Sequence, residues 1–396
     1  MRHRLYLTPG MFGFGKLATY DYFAHVARAL KERFAAAGHG LETHVVDVAP
    51  TASIRRRAVR LAELIASTAG ADPSSDGGSP LHILGHSTGG LDARLVASPS
   101  ARLPIAGEKL GWMPRLKSIT TMSTPHYGTP LASFFATVSG QRMLYAVSAL
   151  TFIALSVGAP PLAAASALVV AIGQLDRAVL GMELKILDRT TDALMKALEP
   201  AQSREVRDFL DAISKDQGAM VQLMPEAMDL FQSGVEDRPG VVYQSTVAAA
   251  PPPSARRLAR AMLSPWRALS STLFTTLYGI TGRLDENYPC APDDANEQLR
   301  ALFAELPTPR ANDGVVPTRS QLWGKVVWAG AADHLDVLGH FTSAVPSEIA
   351  ARPFWARLFA RRPDAVHVDW LTSGSNFDEA QFDRLMDAIA NGMLGG

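Results

Sequence analysis

Leu81-His82-Ile83-Leu84-Gly85-His86-Ser87-Thr88-Gly89-Gly90 is the stretch on which the fold turns. Residues 81–84 form a short apolar run that follows a turn-rich segment, Asp72-Pro73-Ser74-Ser75-Asp76-Gly77-Gly78-Ser79-Pro80, and so read as a buried strand. A serine in a sharp turn from that strand into a helix leaves no room for side chains two residues before and after it, and Gly85 and Gly89 occupy those positions. Such a turn projects the Ser87 hydroxyl from the carboxyl end of the strand. It also aims the Thr88 N–H, at a helix start, toward any negative oxygen formed nearby.

The chain upstream alternates strand and helix. Residues 5–7 read as a strand leading into the glycine-rich loop Thr8-Pro9-Gly10-Met11-Phe12-Gly13-Phe14-Gly15. A dinucleotide fingerprint would need a third glycine, and Lys16-Leu17-Ala18-Thr19-Tyr20 supplies none. The loop suits a second role better, with the Met11 N–H as a partner to that of Thr88 in an oxyanion hole. Phe12 and His86, which flank these donors, are expected to line the substrate site. Between residues 20 and 34, Phe23, Val26, Ala27, Leu30 and Phe34 keep a helical period. Residues 41–48 read as a strand, and 54–67 as a helix whose Arg55, Arg56, Arg57 and Arg60 read as a solvated face. A further strand at 116–122 ends in Ser123-Thr124-Pro125-His126-Tyr127-Gly128-Thr129-Pro130, where His126 reads as a side chain that holds the loop. Strands alternating with helices imply an α/β fold with a mostly parallel sheet covered on both faces.

Regularity breaks after residue 130. The 33 residues between Arg142 and Asp176 carry no charge and are split by Gly158-Ala159-Pro160-Pro161. Each half is shorter than the ~20 residues that span a bilayer, and the prolines interrupt a continuous helix. An apolar helical hairpin capping the serine is therefore expected, within an inserted segment at 131–240. The core then comprises 1–130 and 241–345. An extension at 346–396 ends in an amphipathic helix with Phe377, Phe382, Leu385, Met386 and Ile389, which Gly392 is expected to stop.

Serine is a weak nucleophile near neutral pH, so a base and an orienting acid are required. In a fold of this kind they follow in the order acid, then histidine. Asn312-Asp313-Gly314-Val315-Val316-Pro317 sets an aspartate in a tight turn, and Lys325-Val326-Val327-Trp328-Ala329 is a strand. The loop after it carries His334, in Asp333-His334-Leu335-Asp336. His334 is the expected base with His340 in reserve, and Asp313 the expected acid ahead of Asp285, Asp293 and Asp294.

Five ordered blocks, Gly10-Met11-Phe12-Gly13, Gly85-His86-Ser87-Thr88-Gly89-Gly90, Ser123 to Pro130, Asn312-Asp313-Gly314 and His334-Leu335-Asp336, together resemble bacterial true lipases of the α/β-hydrolase superfamily. The resemblance covers the core but neither the 131–240 insertion nor the tail. It implies an α/β-hydrolase fold, a Ser87-Asp313-His334 triad, oxyanion donors on Met11 and Thr88, and hydrolysis of carboxylic, typically lipid, esters without a required cofactor. Pro9-Gly10 stands where such lipases commonly have His-Gly. In calcium-binding relatives the aspartate two residues after the catalytic histidine is a ligand, which here would be Asp336. Other readings kept open are an acyltransferase or phospholipase using the same three groups, and a non-catalytic protein docking its apolar cap on a membrane or partner.

Composition narrows the rest. With 396 residues, 47% hydrophobic and 19% charged, the chain can bury a large core. A formal net charge of zero argues against nucleic acid as a partner. The single cysteine, Cys290, excludes an internal disulfide and a cysteine-based zinc site. The short apolar run at the N-terminus stops at Pro9-Gly10 and does not make a signal peptide, so a cytoplasmic location is expected.

Overall fold

The computed structural model describes residues 1–11, 22–49, 51–70, 78–137, 140, 141, 143, 144, 211, 213, 215–261, 265–284, 291–341 and 371–395. Six parallel strands form one sheet in the order β2-β1-β3-β4-β5-β6. They are β1 (Arg2–Thr8), β2 (Gly40–Val45), β3 (Leu81–His86), β4 (Leu116–Met122), β5 (Val242–Ala248) and β6 (Lys325–Gly330). The order reverses beside β1, and the central β3 is buried along its whole length. Open α/β sheets bind ligands at the carboxyl ends of such strands.

The period-two alternation of strand side chains divides the core between the two faces. Tyr6, Leu81, Ile83 and Ile119 point to one face, which is closed by α2 (Ile54–Ala69) and α3 (Thr88–Ala97). Leu5, Leu7, Leu84 and Met122 point to the other, closed by α1 (Ala24–Ala36) and the C-terminal helix, here α10 (Glu379–Leu394). Phe382, Leu385, Met386 and Ile389 share that second core with Val26 and Leu30, so the chain's last helix covers the sheet directly. A capping box starts α10, with Asp378 accepting from Gln381 N and Gln381 reaching back to the Asp378 N–H.

Gly392 does not stop this helix, which runs on to Leu394. A Cβ at 392 would collide with the side-chain amide of Gln244 on β5, so glycine there serves close packing of helix on sheet. The expected strand at 41–48 ends sooner, at Val45.

Parts of the 131–240 insertion are tied to the core. Helices α4 (Pro130–Phe135), α5 (Gly218–Gln222) and α6 (Pro225–Gly234) sit at the carboxyl side of the sheet. Thr129 N donates to Leu223 O, Ala219 N to Thr51 O, and Ile54 N to the Gln222 side chain. The expected apolar hairpin between residues 145 and 176 lies outside the described residues. Among the described residues no helix is long and apolar enough to cross a membrane. Downstream come α7 (Ala255–Ala261), α8 (Pro265–Thr281) and α9 (Ala295–Leu302).

Candidate active site

Ser87 sits between β3 and α3 with φ 54° and ψ −129°. A non-glycine residue there costs about 1–3 kcal/mol, and such strain persists only where the surroundings enforce it. The enforcement is visible. A Cβ on Gly89 would strike the Thr8 carbonyl, and one on Gly85 would strike the backbone of Gly89 and Gly90. The elbow is therefore wedged against β1 and its own helix.

Gly10 approaches from the opposite side. A Cβ at that position would lie 2.7 Å from Ser87 Cβ and 3.2 Å from Ser87 Oγ. Main chain thus comes close to the Ser87 side chain, and the next residue, Met11, lines a small apolar cavity with Ser87, Thr88, Leu131, Phe135, Leu223 and Val315. Thr88 opens α3, and among the described residues neither its N–H nor that of Met11 donates to a main-chain carbonyl. Met11 and Thr88 line the same cavity. Gly10→Ala is expected to displace the loop and lower kcat about a hundredfold, the loss typical of one oxyanion donor, with little change in melting temperature; steady-state kinetics beside thermal unfolding checks it.

The Pro9-Gly10 segment is anchored by Arg57, which the sequence reading places on a solvated face. Arg57 lies on the buried side of α2 and is 1% exposed. Its Nη2 sits 2.8 Å from Asp92 Oδ2 and also donates to the Pro9 carbonyl, while Nε donates to Asp92 Oδ2 at 2.9 Å. Thr8 Oγ1 donates to the same carboxylate at 3.2 Å. A buried guanidinium is tolerated because it is paired and hydrogen-bonded at once. The signal was present: Ile54, Arg57, Ala58 and Leu61 follow the helical period of the apolar stripe. Arg55, Arg56 and Arg60 remain on the outer face as expected, two of them in exposed pairs with Asp216 and Glu63.

Asp313 and His334 meet directly. Asp313 is fully buried, and its Oδ1 accepts from Val315 N at 2.9 Å and Val316 N at 2.7 Å. Its Oδ2 accepts from Gln321 Nε2 at 3.3 Å and from His334 Nδ1 at 2.9 Å. His334 N also donates to Asp313 O at 2.9 Å. A carboxylate only accepts here, so Nδ1 carries the proton and Nε2 of the neutral ring keeps its lone pair, as a general base requires. Among the described hydrogen bonds none joins Ser87 Oγ to the His334 ring. Bonds of that kind are commonly long without substrate and tighten in the reacting complex.

Other expected residues take different places. His86, expected against substrate, is fully buried: its Nδ1 meets Tyr22 Oη at 2.7 Å and its Nε2 meets His334 O at 2.9 Å. With both nitrogens engaged inside the protein, the ring has no free polar atom for a ligand. Phe12 lies outside the described residues, as do Asp285 and Cys290. His126 holds its loop, facing Arg94 Nη1 at 3.2 Å and Thr121 Oγ1 at 3.1 Å. His340 packs edge-on against His25, with ring centroids 5.8 Å apart. Tyr22, Arg57, Asp92 and Gln321 were not expected at the site.

Asp336, the candidate calcium ligand, sits in a local hydrogen-bond network. Its Oδ2 accepts from Asp333 N at 2.8 Å and Ser375 Oγ at 2.7 Å. Asp333 accepts from Leu335 N, Asp336 N and Ser373 Oγ. A hard cation needs several oxygens with lone pairs facing it, and N–H or O–H groups point at one Asp336 oxygen and both Asp333 oxygens. Among the described residues no group of three or more His, Cys, Asp or Glu is arranged to hold a metal.

No family model matches the chain, and no curated protein matches it. Solved structures do. EstA from Clostridium botulinum aligns with 96% of this chain and 87% of its own, at 18% identity and a TM-score of 0.50. Lipase 1 from Pelosinus fermentans aligns with 85% of this chain and 93% of its own, at 15% identity and a TM-score of 0.50. The likeness extends over most of both relatives and establishes the fold as that of an α/β hydrolase.

Proposed function

We propose that this α/β-hydrolase-fold protein is a serine carboxylic ester hydrolase of lipase or esterase type, acting through an acyl-enzyme on esters with an apolar acyl group. One observation carries the reading. Ser87 is held in a strained conformation at an apolar cavity that Met11 and Thr88 also line, and the nearby Asp313 and His334 are joined by a 2.9 Å hydrogen bond. The apolar cavity lining favours a hydrocarbon acyl group over a charged one.

In the reaction His334 Nε2 takes the Ser87 proton as Oγ bonds to the ester carbonyl carbon, and the carbonyl π pair moves onto oxygen. The Met11 and Thr88 N–H groups donate to that oxyanion. Collapse expels the alcohol, which takes the proton from His334 and leaves an acyl ester on Ser87. Water, deprotonated by His334, then attacks the same carbon, and the carboxylic acid departs as Oγ recovers its proton. Asp313 keeps the imidazole in its tautomer and balances the imidazolium charge. An alcohol in place of water would make the same chemistry an acyl transfer, and product analysis with added acceptors distinguishes the two.

The test is covalent. A fluorophosphonate should form one adduct, found by peptide mass spectrometry on Ser87, and should abolish p-nitrophenyl ester hydrolysis in parallel. An unlabelled Ser87 together with no hydrolysis overturns the reading in favour of a binding protein.

A further inference from the structure

The residue before the nucleophile and a tyrosine ahead of α1 form a hydrogen-bonded chain that the proposed reaction does not use. Tyr22 Oη accepts from the Gly10 N–H and lies 2.7 Å from His86 Nδ1. His86 Nε2 lies 2.9 Å from the main-chain carbonyl of His334. A carbonyl can only accept, so Nε2 must carry a proton. Burial first, then the neighbouring His334, holds the His86 pKa well below the ordinary histidine value, so the ring is neutral and Nδ1 bears a lone pair. The Tyr22 hydroxyl therefore donates to Nδ1. Burial also raises the phenol pKa, which keeps that proton on oxygen.

Every polarity in the chain is thus fixed: Gly10 N–H to Tyr22 Oη, Tyr22 O–H to His86 Nδ1, His86 Nε2–H to His334 O. Its ends are the loop that presents the Met11 amide and the loop that carries the imidazole, and its middle is joined covalently to Ser87. His334 is gripped from both sides of its own residue, since its N–H donates to Asp313 O while its C=O accepts from His86. The two rings lie 4.6 Å apart, so a shift of one is felt by the other.

From this geometry we infer that Tyr22 and His86 are positioning residues that set the oxyanion loop and the catalytic-histidine loop as one unit around Ser87. Neither touches the reacting atoms. The inference rests on the proposed hydrolase reading.

Kinetics and stability together test it. Tyr22→Phe is expected to lower kcat about tenfold with KM within twofold, because small displacements of reacting groups cost rate more than binding. His86→Ala should lower kcat about a hundredfold, the loss expected for a displacement near 1 Å. His86→Gln places an amide N–H near Nε2, and should recover most of that loss. The Tyr22→Phe/His86→Ala double variant should be no slower than His86→Ala alone, since groups acting as a unit are not additive. Affinity for a boronic acid, which mimics the tetrahedral intermediate, should fall by the same factors as kcat. A purely structural role would instead lower the melting temperature and leave kcat and boronate affinity unchanged well below it, and that result, or full additivity, overturns the inference. Wild-type hydrolysis that Ser87→Ala abolishes but both Tyr22 and His86 variants retain overturns the inference alone. Absence of wild-type hydrolysis overturns the hydrolase reading and the inference with it.

Discussion

Ser87→Ala is expected to lower kcat for a p-nitrophenyl ester by about a millionfold, and His334→Ala by as much, while the double variant loses little more. In the proposed reaction Ser87 and His334 act in one step, so either removal forfeits the whole step. Asp313→Asn should cost about ten thousandfold without unfolding the protein. The asparagine is nearly isosteric, but turning its N–H₂ toward His334 Nδ1 stabilises the tautomer with the lone pair on the wrong nitrogen. Turning it the other way sets the N–H₂ against the Val315 and Val316 N–H groups that now donate to Oδ1. Either arrangement loses a buried hydrogen bond. Rates measured on each purified variant, with circular dichroism as the folding control, check the series. More than about one per cent of wild-type activity in Ser87→Ala would remove the acyl-enzyme from the mechanism.

Much of the fold and of the local geometry around Ser87 and Asp313 is legible in the sequence because steric rules act locally. A serine with glycines at both second neighbours reads as a strand-to-helix turn where a strand precedes it, and Ser87 takes a positive φ between β3 and α3. The turn at Asn312-Asp313-Gly314 was legible for the same reason, with Gly314 at φ 97°. What escaped is set by partners remote in sequence. Arg57 read as solvated because arginine usually is, and its partner Asp92 lies on another helix, 35 residues on. His86 looked ligand-facing from its place beside Ser87, but its direction is fixed by Tyr22, 64 residues away, and by the His334 carbonyl, 248 residues away. Gly392 read as a helix stop since nothing local announces Gln244. Periodicity tells which face a residue occupies, and leaves open what that face meets.

Loss of folding stability in mild acid is the second large effect expected. His82, His86 and His126 are all buried, at 1% exposure or less, and none faces a carboxylate among its described hydrogen-bond partners. Burial, with His3 and then Lys117 adding to it, lowers the His82 pKa to about 3. Burial followed by Arg94 lowers that of His126 well below the ordinary value, and His86 behaves alike. In the unfolded chain each takes up its proton near pH 6.5. As pH falls below 6.5 the unfolded state therefore binds protons that the native state refuses, and stability declines until the folded pKa is reached. His82 alone accounts for on the order of 5 kcal/mol over its window, from about 6.5 to about 3, comparable to the whole stability of a typical domain. Cooperative unfolding is thus expected well above pH 3. Urea denaturation at several pH values between 4 and 8 measures the slope. His82→Asn, which can still reach Ser118 from the position of Nδ1, should remove about 1.4 kcal/mol per pH unit from it between pH 4 and 6. Burial raises the Asp92 pKa to about 6, so below that pH its proton uptake in the native state offsets about one of the three rings; a stability that stays level from pH 7 to pH 5 would mean that the remaining rings gain protons without opening the fold, contrary to the burial that holds them neutral.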